Sequence, residues 1–466
     1  MKEESFVPAD DIRSAFSAAM SVMYRKEVPA YGTLLDLVAE VNKATLDAEP
    51  HLRERLELTD SLDRISEERH GAIRLGTAEE LSMMRRVFAV MGMFPVGYYD
   101  LSSAGVPVHS TAFRPIGDAA LKRNPFRVFT SLLRLDLIAD ESLRDEAGRI
   151  LAQRRIFTPR AVDLVEKAEA QGGLDRRDAS RFVAEVLETF RWHDKANVSA
   201  ELYCRLHDAH RLIADVVSFK GPHINHLTPR TLDIDAVQRL MPERGIAPKA
   251  VVEGPPTRAC PILLRQTSFK ALEEQVSFIG EDGTWRPGSH TARFGEIEQR
   301  GIALTPKGRA LYDKLLDETR IRVRPAPDGS NASEYEKALA EVFRAFPDDW
   351  AEIRGAGLGY FAYSLAPDAA KKALPKTDDL ETLIAAGVIC FDPITYEDFL
   401  PVSAAGIFQS NLGDDEAQEF VESPNQRRFE SDLGASVLNE FDHYARIERH
   451  SIEAALRALK TVEMAE

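Results

Sequence analysis

The stretch EERHGAIRLGTAEE, residues 67–80, places a histidine four positions before an arginine and seven positions before a threonine that can cap a helix. A second stretch, HINHLTPRTLDID at residues 223–235, repeats this arrangement with His226, Arg230 and Asp233. One arrangement that occurs twice in a chain predicts an internal duplication.

Each copy is followed by the sequence signals of a short helix and then of further strands. Thr77 precedes Glu80 by three residues, as in a capping box, and apolar residues recur at helical spacing until Gly92. Asp233 can cap the helix of the second copy, which Gly245 ends. The extended segments are VGYYDL and VHSTAFRPI in the first copy, and PKAVVEG, PILLRQTSFKAL and SHTARFGEIEQRGIAL in the second. The order of a strand, a helix and further strands occurs in both copies, which predicts a duplicated α+β module.

Helical periodicity dominates the chain between the two copies and again after the second copy. A polar break that contains proline and glycine, RVRPAPDGSNASEY at 322–335, marks a boundary. We therefore predict four consecutive regions. They are the N-terminal helices with the first module at 1–116, a helical insertion at 117–215, the second module at 216–321 and a mostly helical C-terminal region at 322–466.

The composition argues against several classes of partner. The net charge is −16, from 59 basic and 75 acidic residues, which disfavours nucleic acid and anionic lipid. The cysteines are three, an odd number, and widely separated, as is typical of a reducing compartment. The N-terminus MKEESFVPADD does not resemble a signal peptide, and no apolar run approaches the ~20 residues of a membrane span. We expect a soluble cytoplasmic protein that binds neither nucleic acid nor membrane, and no feature sets its oligomeric state.

Histidines at matching positions of the two modules are candidate metal ligands. Residues at even separation share one face of a strand, so His70, Ala72 and Arg74 should all point into the module. The small alanine leaves room for a ligand. His223 competes with His226 in the second copy, but only His226 reproduces the spacing of the first copy.

The last extended segment, 289–304, offers the carboxylate. Read as one strand, it places His290, Glu296 and Glu298 on a common face. Aligning TAFRPI of the first copy with ARFGEI of the second puts Pro115 where Glu296 stands. Only the second copy can therefore supply an acid at this position.

His70, His226 and Glu296 together offer two imidazoles and one carboxylate. This is the facial set of ligands that binds Fe(II) and leaves positions open for substrate and O₂, although zinc and Mn(II) accept similar ligands. The competing interpretation is that each histidine is an ordinary polar residue of a strand. The duplication favours the metal site, because both histidines occupy the same position of their modules.

The chain resembles a known family at several motifs. FGEIEQRG, residues 294–301, resembles the last metal-ligand strand of the 4-hydroxyphenylpyruvate dioxygenase type, and paired modules that each begin with a metal-facing histidine are typical of the vicinal oxygen chelate superfamily. The motifs ERHGAIRLGT, GPHINHLTPRTLDI, LLRQTSFKALEE, TARFGEIEQRG and FLPVSAAGIFQSNL together resemble the 2-oxoadipate dioxygenase/decarboxylase family over most of the chain. The resemblance implies an α+β fold, with paired βαβββ-type modules forming an open, barrel-like mixed sheet.

The resemblance also implies an activity and a set of site residues. The activity is that of an Fe(II) enzyme which converts 2-oxoadipate and O₂ into 2-hydroxyglutarate and CO₂ during lysine breakdown. The C-terminal region would close the active site through Val402 and Ser403. The implied metal ligands are His70, His226 and Glu296, and the implied substrate contact is Arg74.

Arg74 also follows from the chemistry of a dicarboxylic acid, whose far carboxylate must not be buried without a partner. A guanidinium can pair with it through two hydrogen bonds. The alternative for Arg74 is a salt bridge to Glu67 or Glu68. Gln266 in LLRQTSF is a further candidate for the inner face of the module.

Two other functions remain open at this point. Another vicinal oxygen chelate metalloenzyme, such as an extradiol ring-cleaving dioxygenase, would use the same ligands on a catechol. A metal-free protein that binds a small ligand would use the modules without any ion.

Overall fold

The computed structural model describes residues 6–463 apart from 60–64, 66, 281, 327, 370–373, 376 and 401–423. Its α-helices are α1 (Ala9–Glu27), α2 (Pro29–Ala48), α3 (Pro50–Thr59), α4 (Ala78–Val90), α5 (Asp118–Arg123), α6 (Glu141–Gln153), α7 (Pro159–Gln171), α8 (Arg176–Leu187), α9 (Ala200–Ala209), α10 (Arg211–Ser218), α11 (Ile234–Leu240), α12 (Pro306–Arg322), α13 (Ala332–Val342), α14 (Trp350–Gly355), α15 (Leu380–Ala385), α16 (Pro424–Leu433) and α17 (Glu440–Glu463). Its strands are β1 (Glu68–Leu75), β2 (Phe94–Asp100), β3 (Val108–Arg114), β4 (Arg127–Leu133), β5 (His226–Pro229), β6 (Leu264–Ser268), β7 (Glu273–Ile279), β8 (Trp285–Thr291), β9 (Phe294–Arg300), β10 (Phe361–Leu365) and β11 (Ile389–Pro393).

The predicted duplication appears as one mixed sheet with the strand order β2-β3-β4-β1-β5-β9-β6. The first module supplies β2, β3, β4 and β1, and the second supplies β5, β9 and β6. The modules join where β1 pairs antiparallel with β5, with His70 opposite Thr228. This curled half-barrel sheet with many helices confirms the predicted α+β class.

The helix caps that delimit the modules form as their sequences predict. Thr77 accepts a hydrogen bond from the backbone N–H of Glu80 at 3.2 Å, and Asp233 caps α11 by accepting one from Ala236. The Glu80 carboxylate departs from a standard capping box, because it accepts from Gly76 instead of from the cap residue. Both β1 and β5 are therefore followed closely by a defined helix start.

Strand β4 corrects two expectations from the sequence. Residues 127–133, which lie inside the predicted helical insertion, form a strand that pairs parallel with β1 and antiparallel with β3. The prediction of helix alone for 117–215 is therefore wrong at this segment. All seven residues of this strand, RVFTSLL, are buried, and its apolar and polar residues do not alternate clearly. Such a pattern does not distinguish a buried strand from a buried helix.

The register of β4 also corrects the alignment of the two modules. His70 lies opposite Arg127 in the β1–β4 pair, and His226 lies opposite Phe294 in the parallel β5–β9 pair, so β9 is the counterpart of β4 and not of β3. Two residues further on, the counterpart of Glu296 is Phe129. The predicted match with Pro115 was wrong, but its consequence holds, because the first module has no carboxylate at this position.

The two faces of the sheet have different surroundings. Ile73, Leu227 and Ile297 point to one face, where they are buried with apolar side chains of α1, α2 and α4. Ala72 and Phe129 point to the other face and pack with apolar side chains of α10. Strand alternation therefore places His70, two residues before Ala72, on the face that α10 covers.

The chain divides into two compact units, each made of separate stretches of sequence. The first unit contains α1 to α11, most of the mixed sheet, the β7–β8 hairpin and α16. The second unit contains α12 to α15, α17 and the antiparallel pair β10–β11. The stretches are Met1–Val252, Gln266–Gln299 and Phe399–Val437 for the first unit, and Glu253–Arg265, Arg300–Asp398 and Leu438–Glu466 for the second.

Among the described residues, no helix is both long enough and apolar enough to cross a membrane.

Candidate metal centre

The three predicted ligands converge on one face of the sheet. His70, His226 and Glu296 lie on the neighbouring strands β1, β5 and β9, and one potential ligand atom from each lies within 4.8 Å of the other two. Glu296 Oε1 is 2.9 Å from His70 Nε2 and 3.9 Å from His226 Nε2. All three side chains are buried. The structure thus brings together residues that are distant in sequence, in the arrangement that a shared ion requires.

A second carboxylate holds the far side of the His70 ring. Glu298 Oε2 lies 2.9 Å from His70 Nδ1, and Glu298 Oε1 lies 3.3 Å from Arg69 Nε. A carboxylate only accepts hydrogen bonds, so Glu298 would favour a proton on Nδ1 when Nε2, which lies 2.9 Å from Glu296 Oε1, binds a metal.

Two uncharged side chains orient the Glu296 carboxylate. Gln266 donates from Nε2 to Glu296 Oε1 at 2.8 Å, and the Thr228 hydroxyl lies 3.2 Å from the same oxygen. Gln266 therefore lies at the centre, as its predicted position on the inner face suggested. Thr228 was missed, although its place two residues after His226 could have revealed it by strand alternation.

His226 carries the clearest sign that a further group belongs here. Neither nitrogen of its buried ring has a hydrogen-bond partner among the described residues. A buried polar group without a partner is destabilising, so such a group is normally satisfied by a ligand or an ion. Burial lowers the pKa of His226 to about 3, and neutral imidazole is the form that binds metals. The residues present therefore fit a metal ion.

The other two candidate ligands also have perturbed pKa values. Burial disfavours ionisation of Glu296, but the neighbouring His226 and His70 outweigh it, so the pKa of Glu296 is lowered. Burial disfavours protonation of His70, but the hydrogen bonds to Glu296 and Glu298 outweigh it and raise the pKa of His70. Glu296 is therefore a carboxylate at neutral pH, as a metal ligand must be.

Arg74 points toward a helix that the sequence did not connect with it. Its Nη1 is 2.5 Å from Oδ2 of Asp215 on α10. The acids considered from the sequence have other contacts, since Glu67 accepts a hydrogen bond from Asn124 and Glu68 accepts one from Ser21. The ion pair joins residues far apart in sequence, which explains why local spacing did not predict it.

A second cluster of possible ligands surrounds Asp215. Together with His223 and His290 it forms a buried group whose potential ligand atoms also lie within 4.8 Å of one another. The prediction that His290 shares a strand face with Glu296 was wrong, because β8 ends at Thr291 and β9 begins at Phe294. His290 lies in the separate β7–β8 hairpin.

Phe399, the first residue of the motif FLPVSAAG, lies beside the candidate metal centre. The ring of Phe399 packs against the ring of His70, with their centroids 4.8 Å apart. Val402 and Ser403, the predicted substrate contacts of this motif, lie outside the described residues.

The curled mixed sheet carries a buried candidate metal centre made of two histidines and one glutamate. A family model described as 2-oxoadipate dioxygenase/decarboxylase matches residues 16–411. The chain belongs to this family, so the resemblance seen in its motifs is confirmed, and so is the expectation that it is an enzyme.

Individual relatives agree with this assignment. A Pseudomonas putida protein named 2-oxoadipate dioxygenase/decarboxylase is 59% identical over 466 residues, which is 100% of both chains. A protein of the same name from Escherichia coli is 58% identical and covers 96% of this chain and 98% of its own. The crystal structure of hydroxyglutarate synthase in complex with 2-oxoadipate from P. putida has a TM-score of 0.90 and 59% identity, with 98% of this chain and 99% of that chain covered.

Proposed function

We propose that this protein is an Fe(II)-dependent dioxygenase that converts 2-oxoadipate and O₂ into 2-hydroxyglutarate and CO₂, a step of lysine breakdown. The observation that carries the proposal is the convergence of His70, His226 and Glu296 in a member of this family. Its three cysteines are unpaired, and on that basis we place the reaction in the cytoplasm.

The overall reaction needs no further reductant. The loss of CO₂ from a 2-oxo acid supplies two electrons, and hydroxylation of the shortened acid supplies two more, which together reduce one O₂ completely. One oxygen atom enters the new carboxylate and the other enters the new hydroxyl group. The partners required are therefore only the 2-oxo dicarboxylate and O₂.

The metal would be held by His70, His226 and Glu296. Bound Fe(II) supplies a centre that a 2-oxo acid can chelate through its keto oxygen and adjacent carboxylate, and at which O₂ can react. Zinc and Mn(II) suit the same donors, so the choice of iron rests on the reaction and not on the ligands.

The chain's own residues orient these donors. Glu298 fixes the His70 ring, while Gln266 and Thr228 fix the Glu296 carboxylate. Each donor then needs little rearrangement when substrate binds, which lowers the entropy cost of assembling the reactants.

Arg74 is the proposed partner of the far carboxylate of the substrate. It lies on the same strand face as His70. Its positive charge contributes to lowering the pKa of His226. A guanidinium has five N–H donors, so it can bind a substrate carboxylate while it also contacts Asp215. We propose Val402, Ser403 and Gln266 as further substrate contacts.

The test is to load the protein with Fe(II) without oxygen and add 2-oxoadipate. We expect a metal-to-ligand charge-transfer absorption band, and then release of CO₂ in equal amount to O₂ consumed when air is admitted. Zinc-loaded protein is the control, since it should bind substrate without consuming O₂. Absence of CO₂ release from 2-oxoadipate would contradict the proposal, and O₂ consumption with catechols instead would favour the ring-cleaving alternative.

A further inference from the structure

Asp215 lies at a junction of three side chains on the same face of the sheet as the candidate metal centre. Arg74 Nη1 is 2.5 Å from its Oδ2, and His290 Nε2 is 2.9 Å from its Oδ1. His223 Nε2 lies 3.3 Å from the same Oδ1. The Asp215 side chain is 6% exposed, so these contacts replace the water that a carboxylate would otherwise bind.

The contacts extend to Tyr203 on α9. A carboxylate can only accept, so His290 donates to Asp215 from Nε2, and its Nδ1 then accepts from the Tyr203 hydroxyl at 2.7 Å. Burial raises the pKa of Tyr203 to about 12, which keeps this hydroxyl protonated and able to donate. The His290 ring is also stacked with Trp192 at an interplanar angle of 14°. The carboxylate of Asp215, on α10, is therefore held by groups from β8 and α9.

The same residues could be considered as a second metal site, but their surroundings argue against it. Oδ2 of Asp215 already contacts the guanidinium of Arg74, whose positive charge would repel a divalent ion. Burial disfavours the charged form of Asp215, yet Arg74 together with His223 and His290 outweighs burial and holds the pKa of Asp215 well below its ordinary value. The negative charge of this carboxylate is thus stabilised without a bound metal ion.

We infer that Asp215 is a positioning residue that fixes the guanidinium of Arg74, and that through Arg74 it makes the enzyme selective for 2-oxo acids with a second carboxylate. The inference rests on the proposed function, because it needs Arg74 to bind substrate. A long arginine side chain has many rotamers, and an ion pair with a rigidly held acid removes most of them before substrate arrives.

The test compares 2-oxoadipate with 2-oxohexanoate, which has the same chain length and lacks the far carboxylate. In Asp215→Asn we expect kcat/KM for 2-oxoadipate to fall by about 10- to 100-fold, mainly through KM, because the partner that orients Arg74 is weakened. For 2-oxohexanoate we expect kcat/KM to change by less than about threefold. If its turnover is too slow to follow, its dissociation constant from the anaerobic charge-transfer band serves instead. In an Arg74→Ala background, Asp215→Asn should cause no further selective loss.

Two further variants separate positioning from general damage. Tyr203→Phe removes only the hydroxyl at the end of the contact chain and should lower the same selectivity by a smaller factor. Glu80→Gln is the matched control, because it breaks another buried carboxylate–arginine pair, and Arg154 of that pair also donates to the carbonyl of Val216 on α10. It should affect both substrates equally.

The outcomes distinguish this inference from the proposed function. If the iron-loaded wild type releases no CO₂ from 2-oxoadipate, the proposed function fails and this inference fails with it. If the wild type is active but Asp215→Asn or Tyr203→Phe lowers both substrates alike, only the inference is overturned. A second metal equivalent in the wild type that Asp215→Asn loses would also overturn it.

Discussion

Two buried clusters on one face of the sheet each contain two histidines and one carboxylate, and they differ in the groups that surround them. In the candidate metal centre, His226 has no hydrogen-bond partner among the described residues, and Glu298 adds a second carboxylate beside His70. In the other cluster, Arg74 and His290 both contact Asp215.

This difference shows that the kinds of ligand atom do not define a metal site by themselves. A divalent ion is favoured where donors lack partners and the local charge is negative, and it is disfavoured where a guanidinium already neutralises the acid. In the candidate metal centre both nitrogens of His226 lack a hydrogen-bond partner among the described residues, whereas Asp215 in the other cluster already pairs with Arg74.

The sharpest test removes one histidine from each cluster. His226→Ala should lower both bound iron and CO₂ release by more than about 100-fold, beyond the loss typical of residues that only orient a ligand. His223→Ala is the matched control and should keep its iron, because it removes a histidine that we do not expect to bind metal. Metal analysis after anaerobic loading gives the first quantity, and CO₂ release gives the second. Equal iron loss in both variants would contradict the contrast.

Glu298→Gln tests the negative charge beside His70. The amide keeps the shape of the side chain but removes its charge and the fixed preference for one tautomer of His70. We expect iron affinity to fall by about 10- to 100-fold, measured by competition with a chelator. Glu80→Gln, which also neutralises a buried acid paired with an arginine, should leave the affinity unchanged. An unchanged affinity in Glu298→Gln would show that this carboxylate does not tune the centre.

Thr228→Val tests the smaller contribution of an uncharged neighbour. The change removes the hydroxyl that lies 3.2 Å from Glu296 Oε1 and preserves the shape of the side chain. A hydrogen bond to a charged group contributes about 1.5–3 kcal/mol, but Gln266 still donates to the same oxygen, so we expect a loss of iron affinity of only roughly 3- to 10-fold. A loss as large as that of His226→Ala would instead assign Thr228 a direct role.

The sequence predicted the centre more fully than the structure around it. His70 and His226 followed from the duplicated spacing, and Glu296 followed from the motif FGEIEQRG. These features are local, and local pattern determines which face of a strand a residue occupies. The sequence motifs alone also indicate the family.

The remaining features depend on contacts between distant parts of the chain. Strand β4 is buried on both faces, and its sequence RVFTSLL is mostly apolar. The spacing of its apolar residues therefore does not reveal a strand. The pair of Arg74 with Asp215 spans 141 positions, and the break between β8 and β9 moves His290 to another sheet. Neither spacing nor propensity encodes such pairings, which only the folded chain shows.

His109 provides a comparison with a buried histidine outside both clusters. Burial lowers the pKa of His109 to about 4, from 6.5, and the charge of Arg134 acts in the same direction. The unfolded chain then binds more protons than the folded chain between these values, so stability should fall as the pH drops from about 6.5 to about 4. The expected loss is at most on the order of 3 kcal/mol, with no effect on activity at neutral pH. Urea unfolding of wild type and His109→Gln across this range measures it, and the variant should lose less stability. Equal pH dependence in both proteins would show that His109 does not contribute, and that any acid sensitivity arises from other groups, such as His226 and His223, whose pKa values burial also lowers.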